Sequence, residues 1–266
     1  MKAALTRVAI GLAVGLITLQ ACSGCARLAA TGAGIPGDYV GDSAFGEVYV
    51  VRGHETQWVE LRGVKTEKLA SCYDAAVLPD GDLLLSSTNE GFVLRTADGA
   101  IRELMAANSL AGSIWLDGTG RWVAFSWPLK WDGWQIVQRG VGVYDLVTHQ
   151  SRLLLSDPGR DTRIFGWLGK RIVFSWSSET TPPFQTVDLE GREQTLTTRP
   201  SNLNRFGRMR DALLPFETTD GSLGVLDFAT LEIRYVAGAT QAHWVKAGLE
   251  ALRGERWEIV VEAGSE

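Results

Sequence analysis

The sequence is poor in the residues that usually carry metal or disulfide chemistry. Its 266 residues include only three cysteines and three histidines. The histidines, His54, His149 and His243, lie far apart and have no neighbouring ligand motif, whereas structural zinc sites place their ligands at short spacings. Any metal site or catalytic triad would therefore depend wholly on tertiary contacts. We predict no catalytic residue, metal ligand or cofactor from the sequence.

Three common enzyme motifs and an excess of basic residues are also lacking. The sequence contains no Gly-x-Ser-x-Gly elbow, phosphate loop or His-Glu-x-x-His motif, which mark hydrolases, nucleotide-binding proteins and metalloproteases. Lysine and arginine number 26 against 31 acidic residues, for a net charge of -5. Nucleic-acid binding requires a basic face, so we exclude nucleic acid as a partner. Enzymatic activity stays open.

The N-terminus carries an apolar run that is too short to span a membrane. Lys2 and Arg7 precede apolar residues from Val8 to Leu19, and the small residue Ala21 follows. A spanning helix needs roughly 20 apolar residues, whereas a basic start, a shorter apolar core and a small residue are typical of a secretory signal. The pattern predicts a signal peptide over residues 1–21.

The end of this signal resembles the processing site of bacterial lipoproteins. The residues Leu19-Gln20-Ala21-Cys22 carry the resemblance, which implies that Cys22 becomes a lipidated N-terminus anchored in the membrane. Ser23 after the cysteine implies the outer membrane, with the protein facing the periplasm. Cleavage by an ordinary signal peptidase and a retained anchor are the alternatives. The following residues are small and Gly-rich, so we predict a flexible tether over residues 22–42.

Lipidation at Cys22 would leave two cysteines in an oxidising compartment. Cys25 and Cys72 could form a disulfide that fixes the tether to the body. Alternatively, both are unpaired thiols, with Cys72 buried in a strand.

A repeated hairpin gives the architecture. The segments 114–127 and 164–176 both end in Phe-Ser-Trp, and each contains two apolar strands around a Gly-containing turn, which is typical of a hairpin. Related hairpins occupy 74–87, 209–216 and 243–261. Hairpins of a second kind alternate with them at 48–61, 92–104, 141–155, 184–196 and 223–236. A period of about 40 to 50 residues with two hairpins each is the pattern of a propeller blade.

The chain is therefore predicted to be all-β, with one β-propeller-like domain over residues 43–266. We expect about five four-stranded blades, or six, and a ring closed by pairing of the N- and C-terminal hairpins. The domain resembles bacterial propellers of the broad PD40 or WD40-like class. An open β-sandwich or two small β-domains is the alternative.

A Trp-rich segment is the main candidate for a binding surface. Residues 127–134 contain Trp127, Trp131 and Trp134, interrupted by proline and glycine, so we do not expect one continuous strand. Such a loop either anchors a partner, since interface hot spots are enriched in tryptophan, or folds back over the channel. The loop 177–184, ending in Phe184, is expected to leave from the same face, and we predict that these four aromatic residues bind a partner.

Two further groups of residues could form sites. The first could form an inward metal site near the channel mouth and comprises Asp74, Asp117, Asp211 and His243. The second is basic and comprises Arg199, Arg205, Arg208 and Arg210. We interpret the second as the solvated face of a linker, with an acidic partner or lipid headgroups as the alternative.

These observations predict an exported, lipid-anchored protein-binding module in the bacterial envelope. It would be a scaffold in an envelope assembly or an immunity-type lipoprotein that inhibits a toxic effector, and its partner would be an as yet unidentified envelope protein. The alternatives are a propeller hydrolase with an inward metal site and a glycan or peptidoglycan binder that uses the Trp-rich loop.

Overall fold

The computed structural model describes residues 37–52, 57–87, 91–106, 112–133, 135–176, 183–197 and 202–262. These residues form 23 β-strands. Within the same ranges, no helix is long and apolar enough to cross a membrane. The predicted signal peptide, Cys22 and Cys25 lie outside the described residues.

The strands form six antiparallel sheets in chain order. The first sheet comprises β1 (Gly37–Ser43), β2 (Gly46–Arg52), β3 (Gln57–Arg62) and β4 (Thr66–Leu69). The second comprises β5 (Cys72–Val77), β6 (Leu83–Ser87), β7 (Gly91–Arg95) and β8 (Ile101–Met105). The third comprises β9 (Ile114–Leu116), β10 (Trp122–Asp132), β11 (Gln135–Asp145) and β12 (Gln150–Leu155).

The remaining three sheets follow the same order. The fourth comprises β13 (Thr162–Leu168), β14 (Arg171–Trp176), β15 (Phe184–Val187) and β16 (Glu193–Thr197). The fifth comprises β17 (Leu203–Phe206), β18 (Leu213–Thr218), β19 (Leu223–Asp227) and β20 (Ile233–Val236). The sixth comprises β21 (Ala239–Val245), β22 (Gly248–Arg253) and β23 (Arg256–Glu262).

This arrangement is a six-bladed β-propeller, in which each sheet is one blade. The all-β propeller prediction is confirmed, and the blade number is the higher of the two that the sequence allowed. Five blades have four strands, and the sixth has three among the described residues. Each blade is made from consecutive strands because every connection within it is a hairpin, the shortest way to join antiparallel strands.

The first blade starts earlier than the sequence predicts. Strand β1 occupies Gly37–Ser43, most of which was assigned to the tether, and it belongs to the propeller. The glycines that suggested a tether allow close packing instead. A Cβ on Gly37 would lie 2.8 Å from Val51 Cγ2, and one on Gly41 would lie 3.1 Å from the Val77 side chain.

The predicted closure by a blade shared between the two termini is not confirmed. The hairpin 48–61 joins β2 to β3 inside the first blade, because β1 supplies that blade with its own inner strand. The first and sixth blades meet instead through β1 and β21. The Trp244 amide donates to Asp38 Oδ1 over 3.1 Å, and Lys246 Nζ lies 2.7 Å from Asp42 Oδ2.

The hydrophobic core lies between neighbouring blades. One cluster joins the second and third blades, where Phe92 contacts Phe125 and Tyr144 edge-on with ring centroids 5.2 and 5.8 Å apart. Similar clusters join the first and second, third and fourth, fourth and fifth, and fifth and sixth blades. Apolar burial of this kind fixes the blades around the channel. Cys72 is buried in the cluster between the first two blades.

An aspartate at the end of the third strand recurs in three blades and shapes the outer hairpin. Asp145 Oδ1 accepts the Val147 amide over 2.9 Å, and Asp227 Oδ1 accepts the Ala229 amide over 2.7 Å. The carboxylate thus satisfies the amide two residues on, as in an Asx turn. Asp145 also accepts a bidentate pair from Arg121 over 3.0 and 2.7 Å, and this guanidinium holds the pKa of the Asp145 carboxyl far below its ordinary value.

Candidate functional site

A buried ion pair crosses the channel between blades. Arg208, in the segment between β17 and β18, places Nη1 2.6 Å from Asp74 Oδ1 at the start of the second blade. Its Nη2 also donates to the carbonyls of Ala75 and Ile114 over 3.3 and 3.1 Å. The Arg208 side chain is 10% exposed and the Asp74 side chain 0%. One guanidinium therefore links the fifth blade to the second and third.

Both partners of this pair have further contacts that fix them. Asp74 Oδ2 accepts the Ile114 amide over 3.0 Å, and Asp74 Oδ1 accepts the Ala75 amide over 2.8 Å. The Trp244 indole N–H donates to the Arg208 carbonyl over 2.6 Å, which adds the sixth blade. We call the Arg208–Asp74 pair with its hydrogen bonds the cross-link. The cross-link thus connects four of the six blades.

The cross-link lies between two cavities in the channel, which we call the upper and lower chambers. The upper chamber has a volume of about 330 Å³ and the lower one about 500 Å³. Arg208 and Trp115 line both chambers.

The upper chamber is lined mainly by positive side chains. Its guanidinium groups come from four different blades and belong to Arg52, Arg139, Arg163 and Arg208. One carboxylate, Asp161, also lines it, and Asp161 Oδ2 lies 3.0 Å from Arg139 Nη1. The side chains around the upper chamber are therefore mainly positive, although the net charge of the chain is negative. A cleft lined mainly by charges of one sign attracts ligands of the opposite sign.

Two residues in the wall of the upper chamber carry a buried polar atom without a hydrogen bond in the described part of the protein. Thr162, the first residue of β13, is 3% exposed, and its hydroxyl makes no hydrogen bond within the described part of the protein. The Trp115 indole nitrogen is likewise buried and makes none there. Buried polar atoms are almost always paired in folded proteins. Both atoms have almost no accessible surface, so they lie within the chamber wall and do not face the cavity.

The lower chamber is lined by the first strands of several blades and by the turns that follow them. Tyr39, Asp117, Trp167 and Arg210 contribute to its wall. The Arg210 guanidinium donates to the Val245 carbonyl over 3.0 Å. Burial, together with the hydrogen bond to Asp42, raises the pKa of Tyr39 to about 12. Tyr39 is therefore a neutral hydrogen-bonding group at physiological pH.

The Trp-rich segment is a strand, contrary to the prediction of an interrupted loop. Strand β10 runs unbroken from Trp122 to Asp132 and pairs with β11, because register shifts between Pro128 and Lys130 accommodate the proline. Such bulges are where a sheet tolerates proline. The two strands pass the upper chamber at Ser126 and Arg139 and continue beyond it. We call the part beyond Trp127 the Trp hairpin.

The tryptophans of this hairpin differ in exposure. Trp131 is 47% exposed. Trp127 is half-buried and stacks on Phe125 with ring centroids 5.5 Å apart. A Cβ on Gly142 in the facing strand would lie 2.7 Å from the Trp127 ring. Trp127 therefore packs the base of the hairpin, Trp131 is available at the surface, and Trp134 lies outside the described residues.

Phe184 does not belong to an exposed surface. It is 0% exposed in the core between the fourth and fifth blades and contacts Phe165, Phe206 and Phe228 edge-on. As the first residue of β15 it points between the blades, where apolar burial is favourable. The preceding residues 177–182 lie outside the described part of the chain.

The four residues considered for an inward metal site do not converge. Asp74 pairs with Arg208, and Asp117 Oδ1 accepts the Arg121 and Trp122 amides over 2.9 and 2.8 Å. Asp211 is exposed beside Arg210. In the described ranges, no group of three or more histidine, cysteine, aspartate or glutamate residues could hold a metal ion.

His243 has a different environment from that of a metal ligand. Its Nε2 lies 3.4 Å from Glu250 Oε2, and its ring contacts Trp257 with centroids 4.5 Å apart. Burial lowers the pKa of His243 and outweighs the opposing effect of Glu250. His149 lies in the turn after β11, where Nδ1 is 3.3 Å from the Tyr144 hydroxyl. His54 is outside the described residues.

Two of the four arginines in the basic cluster do not lie on a solvated linker face, which corrects the prediction for them. Arg208 and Arg210 line the channel and bind backbone carbonyls of other blades, whereas Arg205 is exposed. Arg199 is outside the described residues. No local pattern identifies Arg208, since its partner Asp74 lies 134 residues away in the sequence.

Comparison with solved structures identifies the same fold. No protein-family model and no curated protein matches the sequence. A TolB structure from Acinetobacter baumannii matches with a TM-score of 0.56 and 18% identity, over 81% of this chain and 62% of that one. The chain shares its propeller fold with this structure. The match supports the predicted PD40-like domain, and at this identity the likeness concerns the fold alone.

Structures of proteins named for other activities are equally similar. Tricorn protease matches with a TM-score of 0.56 and 10% identity, over 80% of this chain and 28% of that one. An oligogalacturonate lyase from Vibrio parahaemolyticus matches with a TM-score of 0.57 and 7% identity, over 86% of this chain and 79% of that one. The chain thus spans less than two thirds of that tricorn protease chain and of the Acinetobacter TolB chain. One fold hosts several activities, so function has to be argued from the site.

Proposed function

We propose that this protein is an exported, lipid-anchored module that binds another protein. The binding surface would be the end of the propeller that carries the upper chamber and the Trp hairpin. The observation that supports the proposal most is the exposed Trp131 on a hairpin that extends from the wall of an arginine-lined chamber. A rigid scaffold that presents a large aromatic side chain beside a charged pocket has the features of an interface hot spot.

The biological role that we propose is that of an envelope scaffold or of an inhibitor of a toxic effector. Both roles need a binding surface and no reacting group. The likeness to TolB propellers fits a periplasmic binding module, and we extend it to this chain only as part of the proposal.

The test of the binding surface is capture of a partner in the cell envelope. The exported chain would be crosslinked in a Gram-negative host, and captured proteins would be identified by mass spectrometry. Trp131→Ala removes the exposed ring and should change stability by no more than about 0.5 kcal/mol. Val147→Ala is the matched control, because Val147 is also exposed but lies in the outer turn of the same blade.

The proposal expects one dominant partner that is lost with Trp131→Ala and kept with Val147→Ala. Equal capture by both variants would contradict a role for the Trp hairpin. Binding to purified peptidoglycan that disappears with Trp131→Ala, without any captured protein, would establish the glycan-binding alternative instead. Absence of both would contradict a binding role for this surface.

The proposed anchor has a separate test. The signal over residues 1–21 and the processing site at Cys22 support lipidation, and Ser23 supports an outer-membrane location facing the periplasm. A Cys22→Ser variant should lose acyl labelling and leave the membrane fraction. Unchanged labelling would refute lipidation at this position.

A further inference from the structure

The boundary between the first and sixth blades differs from the other five. Each of those five is filled by a cluster of buried apolar side chains that come from both neighbouring blades. On the face of the first blade that does not pack on the second, Tyr39, Tyr49, Val51 and Trp58 form a cluster of their own. In the described ranges, no apolar side chain of the sixth blade belongs to this cluster. Among these residues the boundary therefore lacks the shared apolar core that joins the other blades.

Polar and charged groups make the described contacts across this boundary, which we call the polar seam. The Trp244 amide donates to Asp38 Oδ1 over 3.1 Å. Lys246 Nζ lies 2.7 Å from Asp42 Oδ2 and 3.9 Å from Glu47 Oε1. The Lys246 and Asp42 side chains are 59% and 50% exposed, so water and salt reach this ion pair.

The cross-link around Arg208 does not compensate for this difference. Its hydrogen bonds join the fifth blade to the second, third and sixth, and none of those described reaches the first blade. The first blade is therefore held in the ring by its apolar cluster with the second blade and by the polar seam.

We infer that the propeller ring opens at the polar seam, and that the ion pair of Lys246 with Asp42 acts as its latch. An exposed ion pair stabilises far less than the burial of an apolar side chain, and local opening occurs where buried apolar contacts are fewest. Salt screens exposed charges, so ionic strength sets how often the latch is open. This inference is independent of the proposed protein-binding function.

Opening at the seam changes the channel, because the first blade supplies part of the channel wall. Arg52 of this blade lines the upper chamber, and Tyr39 lines the lower one. A displaced first blade leaves both chambers open at the side, whereas the cross-link keeps the second, third, fifth and sixth blades together. The seam is therefore a conformational device that couples ionic strength to access to the channel.

Two backbone amides report on opening at two different boundaries. The Trp244 amide donates across the polar seam, and the Ile114 amide donates to Asp74 Oδ2 over 3.0 Å across the boundary between the third and second blades. Trp244 is 2% and Ile114 0% exposed. Each amide exchanges with deuterium only after its hydrogen bond has opened. Hydrogen exchange of the exported chain, followed by NMR at single residues, therefore compares the two boundaries.

The two amides should differ in rate and in their response to salt. After correction for intrinsic exchange rates, the Trp244 amide should exchange at least about tenfold faster than the Ile114 amide. Raising sodium chloride from about 0.05 to about 0.5 M should widen this ratio about threefold, since screening acts on the exposed pair. Equal exchange of the two amides, or an equal response to salt, would show that the domain opens as a whole and would overturn the inference.

Lys246→Met tests the latch, because it keeps much of the side-chain length and removes the charge. Exchange of the Trp244 amide should become about threefold faster and lose its salt dependence, while the Ile114 amide is unchanged. Lys170→Met is the matched control, since Lys170 is an exposed lysine in the equivalent turn of the fourth blade, and it should change neither amide. Unchanged exchange of the Trp244 amide in Lys246→Met would refute the latch.

An exchange of charges separates the ionic effect of Lys246 from its packing. Lys246→Glu places a carboxylate beside Asp42 and Glu47, so the Trp244 amide should exchange faster than in Lys246→Met. Adding Asp42→Lys to this variant restores a pair of opposite charge and should slow exchange again. If the second substitution did not slow exchange, Lys246 would act through packing and the ionic latch would be excluded.

Discussion

The cross-link between Arg208 and Asp74 predicts a large and specific loss of stability when one partner is removed. Arg208→Met keeps much of the side-chain volume but leaves the Asp74 carboxylate, which is 0% exposed, without its countercharge. Removing one partner of a buried pair typically costs about 3–5 kcal/mol. For a domain of this size the melting temperature should fall by about 6–20 °C. The two amides that Asp74 accepts would remain and compensate only in part.

A double-mutant cycle in urea measures this interaction. Arg208→Met, Asp74→Asn and the double variant would be unfolded in parallel, and the double variant should lose less free energy than the two single losses combined. Arg234→Met is the control, since Arg234 is exposed and 3.9 Å from Glu232, where pairs contribute about 0–1 kcal/mol. A loss below about 1 kcal/mol for Arg208→Met would refute the view that this pair holds the blades together.

Three further predictions concern other parts of the propeller. The pKa of Asp145 is lowered beside Arg121, so the unfolded state binds more protons below about pH 4. Stability should fall there, and Asp145→Asn should flatten that fall in urea unfolding curves. The pKa of His243 is lowered by burial, so stability should decline as pH drops below about 7, and His243→Gln should remove that decline. Gly142→Ala forces a Cβ against aromatic rings and should destabilise by about 1–3 kcal/mol in thermal unfolding, whereas Gly118→Ala, with open space around it, should be neutral.

The propeller could be predicted because its signal is repeated and local. Each hairpin brings together residues close in sequence, so apolar alternation and turn glycines identify it, and recurrence identifies the blade. The first strand escaped prediction because Gly37 and Gly41 resemble a linker. Their role appears only when Val51 and Val77 pack against them. That one strand gives the first blade four strands of its own and brings the blade count to six.

The candidate site could be predicted only in part, because exposure depends on neighbours distant in sequence. Trp131 and Phe184 were both predicted to bind a partner from adjacent loops. One lies on a hairpin that extends past the chamber, and the other begins a strand between two blades, where it is fully buried. A sequence pattern identifies the strand but not the blade that covers it.

The charge of the channel could not be predicted from the sequence either. The net charge of -5 correctly describes the chain as a whole, but it does not determine the sign of any one surface. The arginines of the upper chamber come from separate blades and lie far apart in the sequence. Only the folding of the propeller brings them together. Because Arg208 is fixed by Asp74 and by backbone carbonyls, the chamber is rigid at its base. A ligand would therefore meet a preorganised wall, which lowers the cost of binding.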